Sequence, residues 1–327
     1  MRDTTQDLVN ELSKAAEEER RCITGEGREE HKLLCQLERS GALIRVARGL
    51  YAEAEAWRRL DNLERTCRIL RSLAWKNPSW VFCGPSAAAL YGLEVPSNLL
   101  DGIHLVTNTK KREYESQRLI RHYMGDFEAV EIDGVRVTPL ERTVFDCIKD
   151  IDFVRGLPIA DSALRVGKMR AEDLQKRLMA FGNADETKRA LTTVGWANEK
   201  AANGGESVAR AIMIEQGFMV PELQVEIANV IEGGVFYADF FWDIPNDISI
   251  VGELDGFEKY VDPQMTGGRR AAHVMADERR RESRISACGI KVVRFSYSEV
   301  QRREKFTRLL TIYGVPRGAC RPGGFAA

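Results

Sequence analysis

Three acidic side chains in two apolar stretches are the best candidates for chemistry in this chain of 327 residues. Glu253 and Asp255 end the apolar run ISIVGELDG, and Asp239 lies in the preceding run, VFYADFFW. Side chains alternate along a strand, so Glu253 and Asp255 point the same way, about 6–7 Å apart. With only the turn DIPND between the two strands, Asp239 is predicted to lie opposite Glu253, within ~5 Å.

Carboxylates gathered beside apolar walls are unfavourable unless a cation neutralises them. A hard divalent ion with oxygen ligands, Mg²⁺ or Mn²⁺, meets that need, and its predicted ligands are Asp239, Glu253 and Asp255. Such an ion polarises a phosphoryl oxygen and generates hydroxide for attack. Glu206, in the first turn of a preceding helix, is a fourth candidate that supports the metal or orients a water. Each acid also has a structural interpretation: Asp255 precedes Gly256 in a common turn, and Glu206 suits a helix N-terminus.

The elements around these acids follow an α-β-β-β-α-β-α order. The first three strands predict an antiparallel meander, which the fourth strand joins after a helical crossover. The predicted elements are a helix over 205–216, strands over 224–231, 235–242 and 248–256, a helix over 269–288, a strand over 291–297 and a final helix.

The N-terminal part reads as two helices followed by a hairpin, ALIRVARGLYA, with Arg45 and Arg48 on it. This is the order of a winged helix, which lays a helix in the major groove while arginines of the wing contact phosphate. The alternative is a small packing module whose arginines are solvated. In the basic helix DERRRESR, Arg280 and Arg284 are candidate contacts to DNA phosphates, or else part of a solvated, salt-bridged face.

Residues 53–200 alternate short helices and strands and show no catalytic pattern. Asp133-Gly134 predicts a hairpin, and Arg142 is spaced to pair with Asp146 on a helix. The predicted fold is therefore α+β and multidomain. Its domains are a winged helix over 1–52, a small α/β middle domain over 53–200 and the acid-bearing domain over 201–327.

Composition excludes several classes. The net charge of −1 means that a nucleic-acid surface must be a local patch. No apolar run is long enough to span a bilayer, and the polar start is unlike a signal peptide. Seven scattered cysteines without a CxxC pair indicate reduced thiols in a cytoplasmic protein, and four dispersed histidines argue against zinc. The chain has neither a GxxxxGK loop nor a GxGxxG motif, which argues against nucleotide chemistry.

The order of Glu206, Asp239 and Glu253-x-Asp255 within these elements resembles the PD-(D/E)xK nuclease superfamily, most closely the branch related to very-short-patch-repair endonucleases. ELDGFEKY and DERRRESRISACGIKVVRFSY carry the likeness: an acid-x-Asp-Gly turn, a basic helix, a glycine and a strand ending in Val-Val-Arg-Phe. The likeness covers about residues 204–312. It implies a Mg²⁺-dependent endonuclease acting on double-stranded DNA.

The chain departs from the superfamily pattern at one position. That pattern has a lysine two residues after the second acid, where this chain has Asp255. Lys259 is the candidate to fold back and steady the developing charge.

The N-terminal two thirds resembles the AbiEi family of type IV toxin–antitoxin antitoxins. The segments LERSGALIRVARGLYA, GPSAAALYGL, VTPLERTVFDCI and IADSALR carry this likeness. It implies a winged helix, a cognate toxin as a partner and a context of phage defence or a mobile element. Two functions follow as alternatives: a DNA endonuclease, or a non-catalytic antitoxin-like repressor whose degenerate nuclease domain serves binding or homodimer formation.

Overall fold

The computed structural model describes residues 2–25, 27–109, 119–244, 248–255 and 271–318, with backbone only for 2–9 and 271–278. The chain divides into two compact units, Met1–Asp150 and Ile151–Ala327. Both units contain helices and strands, which confirms the predicted α+β class. The boundaries predicted after residues 52 and 200 lie inside these units, and the division into three domains stays a prediction. None of the described helices is long and apolar enough to cross a membrane.

The first unit begins with two helices and a β-hairpin, in the order that the sequence predicts. These elements are α1 (Arg2–Glu18), α2 (Arg28–Arg39), β1 (Leu43–Ala47) and β2 (Leu50–Glu53). The strands pair antiparallel and reverse at Gly49, whose φ of 70° suits a residue without a β-carbon. The hydrophobic core of these four elements includes Leu34, Leu43 and Tyr51.

The rest of the first unit packs helices against short β-pairs. Its elements are α3 (Ala54–Arg59), α4 (Asn62–Lys76), α5 (Gly84–Leu90), a 3-10 turn (Ser97–Leu99), β3 (Ile103–Thr107), β4 (Leu119–Tyr123), β5 (Val130–Ile132), β6 (Val135–Val137) and α6 (Leu140–Ile148). The predicted hairpin is confirmed, because β5 and β6 reverse through Asp133 and Gly134, both at positive φ. Arg142 and Asp146 form the predicted ion pair, at 2.8 Å.

The second unit begins with helices α7 (Phe153–Gly167), α8 (Ala171–Leu178) and α9 (Ala184–Val194), followed by α10 (Gly204–Glu215). A fully buried ion pair joins α7 to α10: Arg210 Nη2 lies 2.7 and 2.9 Å from the two oxygens of Asp161. Arg210 also donates to the Trp196 carbonyl, and Asp161 accepts the Asn198 N–H. These bonds hold the middle of α10, and the segment that precedes it, against α7.

A four-stranded sheet follows, in the spatial order β10-β9-β8-β7. Its elements are β7 (Glu222–Ala228), β8 (Val235–Ile244), β9 (Ile248–Asp255), α11 (Ala271–Ala287), β10 (Lys291–Ser296), α12 (Tyr297–Gln301) and α13 (Arg303–Tyr313). The first three strands form the predicted antiparallel meander, and β10 pairs parallel with β9 after α11. The predicted order is thus confirmed, with the short helix α12 added before the last helix.

Helices cover both faces of this sheet. Phe240, Trp242 and Phe295 pack on one face, in a core with residues of α10 and α13. Val251 and Ala238 pack with Ile285 of α11 on the other face. The acids on β9 must therefore lie between apolar layers, as the sequence pattern indicates.

Candidate functional site

The sheet forks at the predicted acids. The ladder between β8 and β9 runs from Ile244–Ile248 to Phe240–Gly252. Beyond that pair, β8 continues beside β7 and β9 continues beside β10. Asp239 and Glu253 are the next positions along the two separating strands.

Asp239 closes the neck of this fork. Its Oδ2 accepts the backbone N–H of Leu254 at 2.9 Å. This side-chain bond joins β8 to β9 where the backbone ladder between them has ended. Asp239 is half-buried, and Glu253 is buried with 8% of its surface exposed. Counted along the β8–β9 ladder, Asp239 lies at the position across from Glu253. β8 runs to Ile244, so three residues separate the two strands instead of the predicted five.

Gln224, on β7, is the neighbour of Asp239 on the side of β8 that faces away from β9. It lies across from Asp239, between the pairs Leu223–Phe240 and Val225–Ala238, and its φ is 52°. A positive φ is costly for a residue with a β-carbon and interrupts regular alternation. In a regular strand Leu223 and Ile227 would face the same side of the sheet, because they are four residues apart. Here Leu223 packs in the core on one face and Ile227 in the core on the opposite face.

Glu206 reaches Gln224 from α10. Its carboxylate accepts the Ala202 N–H at 2.9 Å, the Asn203 amide at 2.7 Å and the Gln224 amide at 3.4 Å. Asn203 in turn caps α10 by accepting the Glu206 N–H. Glu206 is 3% exposed, and these bonds connect the helix start to the distorted part of β7.

Gly205 permits the close approach of α10 to the end of β9. A β-carbon at this position would lie 2.9 Å from Leu254 Cδ2, which is shorter than an ordinary contact. Leu254, whose N–H donates to Asp239, therefore also packs against the start of α10.

Arg281, from α11, bridges the two arms of the fork. Its Nη2 lies 2.9 Å from Glu253 Oε1 on β9 and also donates to the Tyr237 carbonyl on β8. Its guanidinium carbon is 5.9 Å from the centre of the Phe236 ring, a cation–π distance. The sequence pattern did not distinguish Arg281 from its neighbours in the basic helix.

Arg294, from β10, holds the remaining acid. Its Nε donates to Asp255 Oδ1 at 2.9 Å, and its Nη2 contacts the same oxygen. The sequence analysis treated this arginine only as part of the Val-Val-Arg-Phe strand. The signal that could have identified it is an arginine inside an apolar strand, since a charge there requires a partner.

Carboxylate oxygens are the donors that a hard divalent cation takes. Asp239 and Glu253 lie at facing positions of β8 and β9, and the guanidinium of Arg281 contacts Glu253. Within the described ranges, no three His, Cys, Asp or Glu side chains are grouped so as to hold a metal ion. The predicted ligand set of Asp239, Glu253 and Asp255 stays a prediction.

The predicted DNA-contacting arginines have different surroundings. Arg45 and Arg48 are exposed on the β1–β2 hairpin. Arg280 is exposed on α11, whereas Arg284 forms an ion pair with Glu232 in the β7–β8 turn. Lys259 lies outside the described residues.

Two relatives from Mycobacterium tuberculosis strains, named Uncharacterized protein MT2308 and Uncharacterized protein Rv2248, are each 25% identical to this chain over 226 residues. The similarity covers 69% of this chain and 78% of each relative. No known protein-family model matches the chain.

Proposed function

We propose that this protein is a DNA-associated phosphodiester hydrolase, a Mg²⁺- or Mn²⁺-dependent endonuclease whose site is the fork between β8 and β9. The observation that carries the proposal is the carboxylate of Asp239 bound to the backbone of β9 beside the buried Glu253. Two acids on separating strands can hold a metal ion that binds a negatively charged phosphodiester, and an arginine beside them can contact the same phosphate.

Asp239, Glu253 and Asp255 would hold the cation, which supplies Lewis-acid polarisation of the phosphodiester and an activated water. Hydrolysis adds water to phosphorus, breaks one P–O bond to a sugar, and yields a phosphomonoester and an alcohol. Within the chain, Arg294 holds Asp255 in place, and Glu206 keeps Gln224 and the start of α10 fixed beside Asp239. Precise placement of the acids is what such catalysis requires.

The N-terminal hairpin supports the choice of double-stranded DNA as the substrate. Arg45 and Arg48 are exposed on β1 and its turn, after the helices α1 and α2. In a winged helix these arginines contact phosphates and position the protein without reading sequence.

The test uses the full chain with supercoiled and linear DNA, in Mg²⁺, in Mn²⁺ and in chelator. We expect metal-dependent cleavage that Asp239→Asn and Glu253→Gln each reduce by about 100-fold or more. Asp243→Asn is the matched control, because Asp243 is exposed on the same strand; its rate is expected within about twofold of the wild type. Cleavage that persists in both site variants, or in chelator, would refute the assignment.

A second candidate is a non-catalytic, antitoxin-like repressor. The observation that favours it is the pairing of Glu253 and Asp255 with Arg281 and Arg294, which already neutralises two of the three acids. The same experiment separates the two functions: DNA binding by the wild type and both site variants, without cleavage by any of them in either metal, supports the repressor.

A further inference from the structure

We propose that Arg281 is the cationic side chain of this fork that contacts the DNA phosphate. The inference rests on the proposed function, because it assigns a role within the same fork. Asp255 cannot supply positive charge, and Arg281 brings it from a different element, α11.

The position of Arg281 supports this role. Its guanidinium contacts the Tyr237 carbonyl on one arm of the fork and Glu253 on the other. A phosphate approaching Asp239 and Glu253 must therefore come within reach of this guanidinium. Arginine suits the task, because its planar group binds phosphate oxygens through several N–H donors at once.

The contacts that Arg281 makes leave donors for a substrate. Both of its hydrogen bonds within the described part of the chain use Nη2. Nε and Nη1 carry three further N–H groups, and the side chain is 30% exposed. A phosphate oxygen can thus bind the guanidinium while Nη2 keeps its anchor on β8.

Binding of a phosphate through Nε and Nη1 does not require Arg281 to release the buried Glu253, which stays paired with Nη2. In contrast, Arg294 uses both Nε and Nη2 on one oxygen of Asp255, which fixes it to its strand.

The neighbouring arginines fit the role less well. Arg284 is engaged by Glu232 of the β7–β8 turn. Arg279 is exposed on the same helix and provides a control with identical chemistry.

The experiment compares Arg281→Met, Arg281→Lys and Arg279→Met in the full chain, with thermal unfolding to confirm that each variant is folded. Binding to a DNA duplex is measured by fluorescence anisotropy in chelator over a range of salt concentrations. Because one phosphate contact is lost, we expect Arg281→Met to lower the slope of log K against log salt by about one unit. Arg281→Lys should recover most of this slope, and Arg279→Met should leave it unchanged.

Cleavage in Mg²⁺ is the second readout. We expect Arg281→Met to lose about 100-fold or more in rate, as when one transition-state donor is removed, and Arg281→Lys to recover part of the loss. A salt slope and a rate for Arg281→Met that match those of Arg279→Met would overturn the inference. If the wild type itself does not cleave, the proposed function fails, and the salt slopes in chelator alone decide whether Arg281 contacts phosphate.

Discussion

Two arginine–carboxylate pairs in the second unit have the same chemistry and opposite surroundings. Asp161–Arg210 joins α7 to α10 with side chains only 1% and 3% exposed. Glu253–Arg281 joins β9 to α11 with side chains 10% and 30% exposed. The first pair is also bonded to backbone groups on both partners, through Asn198 and Trp196.

Burial gives the two pairs different capabilities. In the first pair, each charge has lost its water and depends on the other, so removing one strands the other. In the second pair, Glu253 is also buried, but Arg281 keeps access to water and so does not depend on Glu253 alone. A buried ion pair thus fixes the scaffold of a site, and a partly exposed one leaves the site free to bind a ligand.

The largest effect is expected from breaking the buried pair. Arg210→Met should destabilise the second unit by about 3–5 kcal/mol, because Asp161 would remain as an unpaired buried charge. Urea unfolding measures the change. The matched control is Arg155→Met, which breaks the Asp152–Arg155 pair at the start of α7, the helix that carries Asp161. The side chains of Asp152 and Arg155 are 48% and 45% exposed, so the loss in unfolding free energy should be about 0.5 kcal/mol or less.

The double variant Asp161→Leu, Arg210→Met sharpens this test. Without an orphan charge it should be more stable than Arg210→Met alone, because apolar replacement of a whole buried pair is often neutral. An Arg210→Met variant no less stable than Arg155→Met would contradict the structural role given to burial.

The first unit contains a pair of side chains that would carry charges of the same sign, His104 and His122, in contrast to the arginine–carboxylate pairs. His104 Nδ1 lies 2.9 Å from His122 Nε2, and the rings are stacked with centres 5.1 Å apart. Burial, and secondarily the charge of His122, lowers the pKa of His104 from 6.5 to about 4. The unfolded chain therefore takes up this proton first as the pH falls.

Stability should accordingly be lost as the pH falls from about 6.5 towards 4, by about 1–2 kcal/mol between pH 7 and pH 5 after allowance for solvent screening. Urea unfolding at the two pH values measures this loss, and an NMR titration of His104 locates its pKa. His122→Asn is the control: it removes the second cause, so the pKa of His104 should rise and the pH dependence should weaken. A pKa of His104 near its ordinary value would refute the prediction.

Local signals in the sequence are sufficient for most of this fold. Gly233-Gly234 and Asp133-Gly134 supply the positive φ values of two hairpins, and the second hairpin was predicted. The distortion at Gln224 was not predictable, because glutamine carries no preference for positive φ. Its cause is tertiary: its side chain bonds to Glu206, 18 residues earlier in the chain.

The positions of the acids on β8 and β9 were predictable from the strand pattern, and the arginines that contact two of them were not. The register of Asp239 against β9 depends on the two residues by which β8 extends past its predicted end. Arg281 and Arg294 lie 28 and 39 residues from the acids they contact, on elements whose rotation against the sheet no local pattern specifies. Four arginines in DERRRESR look alike in sequence, and only packing of α11 on the sheet turns one of them towards Glu253.

A smaller effect on stability than that of Arg210→Met is expected at the fork itself. Glu253→Gln removes the charge but keeps a side-chain oxygen as an acceptor, and Arg281 retains both its Tyr237 contact and its access to water. The unfolding free energy should therefore fall by about 1 kcal/mol or less, measured in the same urea experiment as Arg210→Met. Because this variant is also expected to lose cleavage, a folded and inactive protein would show that the partly exposed pair serves function. A loss as large as that of Arg210→Met would mean instead that Glu253 and Arg281 hold the sheet together, and the contrast between the two pairs would fail.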